Sequence, residues 1–128
     1  MEKILGFDGT LSQKLEGFEY RPQQIEMARA VNKAFNEAQH LIVEAGTGTG
    51  KSLAYLIPAT LWAVANNKQV VISTYTKTLQ QQILKHDIPF LREKLGIPFR
   101  YALCMGNENY LSLRRLCLLY TSDAADEL

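Results

Sequence analysis

Cys104 and Cys117 are the only cysteines in this 128-residue chain. So few exclude a disulfide framework, and the pair reads as two reduced thiols behaving as small apolar residues. No apolar run approaches the roughly 20 residues of a membrane span. Residues 1–9 lack the apolar stretch of a secretory signal, so the expectation is a cytoplasmic protein with no membrane partner. The histidines, His40 and His86, stand isolated and suggest surface positions, with no metal site. Charge of one sign is also scarce. The formal net charge is +1 over the whole chain, whereas residues 1–116 carry 14 bases against 10 acids, a net +4. That mild excess is compatible with nucleic acid without arguing for it. The remaining composition, 47% hydrophobic and 21% charged, is that of a globular domain, and the length has room for one at most.

What is present is concentrated in one stretch, Glu44-Ala45-Gly46-Thr47-Gly48-Thr49-Gly50-Lys51-Ser52. It follows an apolar run, Leu41-Ile42-Val43, and precedes a helical one, Leu53-Ala54-Tyr55-Leu56-Ile57. Strand, glycine-rich turn, helix is the context that a phosphate-binding P-loop needs. Glycines let the backbone turn its N–H groups inward around an anion. The new helix adds its positive dipole end to the same spot. Lys51 can then reach the β- and γ-phosphates, and the Ser52 hydroxyl is placed to ligate Mg²⁺. The strict pattern opens with glycine, where this chain has Ala45.

Around that stretch the pattern predicts alternating elements. Residues 1–19 are weakly patterned, with Leu11 and Leu15 suggesting a helical turn or two, and read as a lead-in. Pro22 suits a first helical turn, and Ile25, Ala28, Val31 and Phe35 recur at helical spacing behind it. Short buried-type strands are predicted at residues 40–44, 69–73 and 99–103. The helix after the phosphate loop covers residues 51–64, stops near Asn66-Asn67, and should kink or locally loosen at Pro58; Trp62 reads as core. A further helix follows residues 74–78, with Asp87 and Pro89 ending or bending it, then a short one closed by Gly96. Another begins within residues 110–116. Strands alternating with helices imply βαβ units. The fold class is therefore α/β: a P-loop NTPase with a parallel sheet and flanking helices. Its ligands bind at the carboxyl ends of the strands.

Four stretches, in this order, make the chain resemble the DinG-type, XPD-like branch of superfamily 2 DNA helicases. Phe18-Glu19-Tyr20-Arg21-Pro22-Gln23-Gln24 is similar to the family's adenine-recognition segment. The phosphate loop with Leu53-Ala54-Tyr55-Leu56 resembles its motif I, where alanine is often found at the position of Ala45. Val71-Ile72-Ser73-Thr74-Tyr75-Thr76-Lys77-Thr78-Leu79-Gln80-Gln81-Gln82 resembles motif Ia. Asn109-Tyr110-Leu111-Ser112-Leu113-Arg114-Arg115-Leu116 is similar to the segment that opens the family's cluster-domain insertion. The resemblance implies a RecA-like motor domain that couples ATP hydrolysis to translocation along single-stranded DNA, forked DNA being a further substrate. It assigns Arg21, Gln24, Ala45, Gly46, Thr47, Gly48, Thr49, Gly50, Lys51 and Ser52 to ATP. Lys51 is the catalytic residue and Ser52 the Mg²⁺ ligand. Thr74, Thr76, Lys77 and Gln80 go to nucleic acid, with the protein a monomer. The Gln24 amide matches the donor–acceptor edge of adenine. Hydroxyls, free N–H groups and Lys77 at a helix start suit a DNA phosphate. No run of stacking aromatics marks a single-strand site.

The family's iron–sulfur members carry a cysteine where this chain has Ser112, and a lysine and an arginine where it has Met105 and Asn107. Serine is a poor substitute for a cluster thiolate, so no iron–sulfur cluster is expected. Residues 117–128 depart abruptly from the text before them and look like the translation of a sequencing-library adapter, so residues 20–116 form the expected motor portion. No Asp-Glu pair follows an apolar strand; Asp126-Glu127 falls in that tail. The expectation is the nucleotide-binding half of a site, truncated and inactive alone, on an incomplete sheet. A nucleotide kinase, another P-loop NTPase and a non-catalytic nucleotide-binding module are the alternatives.

Overall fold

A computed structural model of the chain describes residues 1–14 and 16–126, with side chains described as far as residue 121. It is built from helices: α1 (Glu2–Leu5), α2 (Thr10–Lys14), α3 (Pro22–Glu37), α4 (Lys51–Asn66), α5 (Lys77–Gln82), α6 (Ile88–Glu93) and α7 (Leu113–Asp126). A π-helical turn (Ile83–Asp87) joins α5 to α6, and a 3₁₀ turn (Asn107–Asn109) precedes α7.

The α3/α4 pair forms the centre. Pro22 stands at the start of α3, where its missing N–H costs nothing. Ala38 ends that helix in the left-handed region at φ 52°. Ile25 and Ala28 bury the predicted stripe against Ala54, Leu56 and Ile57 of α4. Further along, Phe35 stacks on Trp62 with ring centroids 5.0 Å apart. Asn67, at φ 50°, stops α4 where the pattern predicted.

Pro58 does not interrupt α4. It is buried, and the Thr60 hydroxyl, two residues on, donates to the carbonyls of Leu56 and Ile57, at 2.7 and 3.1 Å. The lead-in contributes more than its patterning promised. Leu5 and Leu11 are fully buried in the same core, and Glu2 pairs with Arg29 of α3. The other half of the expected turn, Leu15, lies outside the described residues.

Beyond α5 the bend expected at Asp87 and Pro89 is a widened turn. The Ile88 N–H donates to the Ile83 carbonyl, five residues back. Pro89 has no N–H to continue an α-helical ladder, and the π turn absorbs the mismatch before α6 begins. Gly96, at φ 66°, closes the segment, and Ile97 returns its N–H to the Leu91 carbonyl at 3.2 Å.

The parallel sheet is not observed. No strand is present among the described residues, and the segments predicted as strands, 40–44, 69–73 and 99–103, are irregular. Residues 39–41 and 70–75 line a shared groove of about 650 Å³, with Ile42 98% and Val71 91% exposed. The reason is physical: a helix closes its hydrogen bonds within itself, whereas a strand exists only through a neighbour. Apolar β-branched runs identify segments suited to a sheet but supply no partner.

Candidate nucleotide site

The loop between residue 44 and α4 carries the conformations expected of it. Gly48 and Gly50 have φ of 76° and 72°, a region that side-chain-bearing residues rarely enter. A Cβ at Gly46 or Gly48 would meet nothing within 4 Å, so these positions face open space. Gly50 is the N-cap of α4, with no side-chain cap. The first backbone bond across that start runs from the Ala54 N–H to the Gly50 carbonyl at 3.2 Å. The N–H groups of Lys51, Ser52 and Leu53 therefore have no acceptor inside the helix. Open space beside free N–H groups at a helix start fits a phosphate chain.

The loop's side chains are turned inward on their own backbone. The Lys51 ammonium donates to the Ala45 carbonyl at 2.8 Å, and the Thr49 hydroxyl to that of Gly46 at 2.9 Å. The Thr47 side chain is exposed.

Gln24 supplies the strongest long-range link. It is the buried polar residue of the core, 3% exposed, and its Nε2 donates to the Gly50 carbonyl at 2.9 Å. A Cβ on Gly50 would fall 2.1 Å from that Nε2 and 3.6 Å from an Arg21 guanidinium nitrogen. Gly50 is thus required twice, by its φ and by its neighbour. Arg21, Gln24 and the loop meet at this point. Arg21 also pairs with Glu19 at 3.3 Å. The Gln24 Oε1 is buried with no donor among the described residues.

The second cluster surrounds the start of α5. The Thr76 hydroxyl caps it, accepting from the Leu79 N–H at 3.2 Å, and the Thr74 hydroxyl donates to the Thr76 carbonyl at 3.3 Å. Lys77 is exposed. Gln80 is tied elsewhere: its Nε2 donates to the Cys104 carbonyl at 3.1 Å. Tyr75 between the two threonines is fully exposed, an aromatic face that the sequence reading passed over. Its position beside two hydroxyls at a segment end was the available signal.

Two further groups have no site role in the sequence pattern. Tyr55, one turn into α4, is half-buried. Burial pushes its phenol above the ordinary value, the Ser52 hydroxyl opposes this, and the Asp87 carboxylate adds to it. Burial also raises the Asp87 carboxyl, against the nearby His86 charge. Helical spacing from Ser52 points to Tyr55, but only folding brings Asp87 near. Both histidines are exposed. Ser112, Cys104 and Cys117 are exposed too, and no cluster of three metal-ligating side chains occurs among the described residues.

Comparison with known proteins gives one family match, the DEAD/DEAH box helicase, over residues 21–122. The chain is similar to the ATP-dependent DNA helicase YoaA of Haemophilus influenzae, 44% identical over 113 residues, 88% of this chain and 17% of that protein. It is similar to the ATP-dependent helicase DinG of Mycobacterium tuberculosis, 45% identical over 117 residues, 88% of this chain and 18% of that one. The 3'-5' exonuclease DinG of Bacillus subtilis is 42% identical over 108 residues, 84% of this chain and 12% of its own length. The chain thus spans less than a fifth of these relatives. No solved structure matches it significantly.

Proposed function

Because the chain belongs to the DEAD/DEAH box helicase family, we propose that it is the ATP-binding portion of an ATP-dependent DNA helicase motor of the DinG type. The observation that carries the reading is the Gln24–Gly50 link. A buried glutamine amide is pinned to the phosphate loop with one N–H spent and its Oε1 lacking a donor. A free N–H and a free acceptor match N7 and the N6 amine of adenine. Arg21 lies beside them.

Gly46, Gly48 and the free N–H groups at the start of α4 cradle the phosphates. Ala45, Thr47 and Thr49 complete the loop. Lys51 leaves the Ala45 carbonyl for the β- and γ-phosphates, and Ser52 holds Mg²⁺. The metal's chemistry is to neutralise charge on the transferring phosphoryl group. A helicase motor also needs an Asp-Glu pair for Mg²⁺ and water, and a second domain's arginine. Asp126-Glu127 follows no apolar extended segment, and its Glu127 lies outside the described residues. These residues alone therefore bind ATP without turning it over. Serine in place of a cluster thiolate at position 112 supports a protein without an iron–sulfur centre.

Single-stranded DNA, alone or at a fork, is the second ligand. The Thr76 oxygen accepts the cap bond, which leaves its O–H free to donate to a phosphate, and Lys77 adds charge. Tyr75 offers a face for a base to stack on. Gln80 serves by holding residue 104 against α5. A nucleotide kinase needs neither Gln24 nor this segment. We read the protein as a cytoplasmic monomer whose native motor portion is residues 20–116, with residues 117–128 foreign to it.

Titration with fluorescent ATP and GTP analogues, with and without Mg²⁺, tests the reading. ATP should bind better than GTP, with Mg²⁺ strengthening it. Gln24→Ala should erase the preference for adenine, a loss of roughly 10-fold for one buried polar pairing, while triphosphate binding persists. Equal ATP and GTP affinity in the unaltered protein would remove Gln24 from base recognition. No Mg²⁺-dependent ATP binding at all would remove the function.

A further inference from the structure

Tyr75, Tyr101 and Tyr110 are all exposed, and they differ in what meets their rings. Tyr101 is engaged: it tilts against Phe99 with centroids 6.4 Å apart, and the Arg92 guanidinium lies 5.8 Å from its centroid. Tyr75 and Tyr110 have neither an aromatic nor a cationic neighbour among the described residues. Tyr110 is nevertheless fixed. Its Oη accepts from the Met105 N–H at 2.8 Å. Its own N–H donates to the Asn107 carbonyl at 3.2 Å, across the 3₁₀ turn. The Asn109 N–H and its Nδ2 both donate to the Gly106 carbonyl, at 2.9 and 3.2 Å. Residues 105–110 are thus closed on themselves without help from a sheet. A tyrosine whose hydroxyl is bound and whose ring is bare offers stacking area at little further cost in rotamer entropy. The closed turn is also tied to α5, because Gln80 Nε2 donates to the carbonyl of Cys104, just before Met105. Gln80 stands one helical turn, about 6 Å, beyond Thr76, and Tyr75 precedes Thr76.

We propose that Tyr110 is a second stacking residue for single-stranded DNA, and that Gln80 is the positioning residue that sets it alongside Tyr75. The proposal rests on the reading that Thr76 and Lys77 meet DNA, and it extends that surface to the turn at residues 105–110. One bare ring stands at the start of α5. The other sits on the turn that Gln80 pins beside the same helix. A strand whose phosphates meet Thr76 and Lys77 lays one base on Tyr75 and a later base on Tyr110. The exposed charge near the two rings suits that strand. Lys77, Arg114 and Arg115 stand against Glu108, and phosphates are drawn to the basic excess. Stacking on tyrosine tolerates any base, so these rings supply affinity without sequence preference. Bases paired in a duplex show their faces to each other, so the pair of rings favours unpaired DNA.

The test uses the full-length protein and a fluorescent oligothymidine, with affinity read by anisotropy. Tyr110→Ala should weaken single-strand binding roughly 10-fold, the scale of one lost base stack. Affinity for a blunt duplex of equal length should not move. Tyr110→Phe keeps the ring face and should stay within about 3-fold of the unaltered protein. Gln80→Leu should weaken single-strand binding about as much as Tyr110→Ala. The double variant should lose no more than either alone, because both remove the same contact. Photocrosslinking supplies a readout apart from affinity. Oligothymidine carrying 5-iodouracil should crosslink to Tyr110 as well as to Tyr75, and Gln80→Leu should lose the first crosslink and keep the second. The crosslink in the unaltered protein needs no variant, so it decides the matter even if a substitution unfolds the chain. Unchanged single-strand affinity in Tyr110→Ala, or a crosslink at Tyr75 alone, overturns the proposal and leaves the DNA reading standing. An equal loss on duplex overturns stacking at Tyr110. Additive losses in the double variant overturn the role of Gln80. Absence of single-strand binding by the unaltered protein overturns the DNA reading and this proposal together.

Discussion

The helical half around α3 and α4 and the irregular segments at residues 40–44, 69–73 and 99–103 all carry apolar text, yet they end differently. In the first, Ile25, Ala28, Ala54, Leu56 and Ile57 are buried. In the second, Ile42 and Val71 are almost wholly exposed. The contrast is one of hydrogen bonding before it is one of hydrophobicity. A helix satisfies its own backbone and needs a neighbour only for one face. An extended apolar segment needs neighbours at its edges as well as on its faces, and exposed edges invite association with other chains.

The largest break in this comparison comes from the helical side. Ile57→Ala, at a fully buried position, should cost about 2–5 kcal/mol, read by denaturant unfolding of the chain. An unchanged midpoint would mean that α3 and α4 do not carry the stability. Gly50→Ala is next. It places a Cβ at φ 72° and onto the Gln24 amide, for a cost of about 1–2 kcal/mol from the backbone alone. ATP affinity should fall with it, because the Gln24 anchor must move; binding equal to that of the unaltered chain would show that the link is dispensable.

A smaller effect is expected at Asp87. Its carboxyl is raised above the ordinary 3.8, so the fold disfavours the charged form. Stability at this group is therefore lost as pH rises from below 3.8 through the raised value. Asp87→Asn should melt higher than the unaltered chain at pH 7, with the gap closing toward pH 4. A gap independent of pH would assign the effect to packing. Smallest of all, Val71→Lys should leave stability within about 0.5 kcal/mol, as at an exposed site. It should also reduce self-association in light scattering. A large loss would show that the segment is paired in solution.

The phosphate loop and its two helices were legible because their signals are local. Pro22 starts α3, Asn67 ends α4, and the glycine spacing places the positive φ values at Gly48 and Gly50. The sheet was not legible in the same sense. Residues 69–73 have strand composition, but pairing is a property of two segments. The burial of Leu5 and Leu11 was missed because a short turn bounded by glycines shows no period to read. Asp87 and Pro89 signal an end or a bend without saying which, and the widened turn at residues 83–87 makes it a bend inside a continuous helical path.

By itself the amino-acid order determined the glycine-rich turn and the helix start that we propose for a phosphate chain, since Gly46, Gly48, Gly50, Lys51 and Ser52 lie within one short stretch of backbone. Tertiary structure alone decided that Gln24 reaches the Gly50 carbonyl across 26 positions of sequence. It also decided that the turn ending at Asp87 packs on α4, and that the β-branched runs remain unpaired. Turns and helices close through neighbours in the chain, whereas buried polar links and sheets close through neighbours in space.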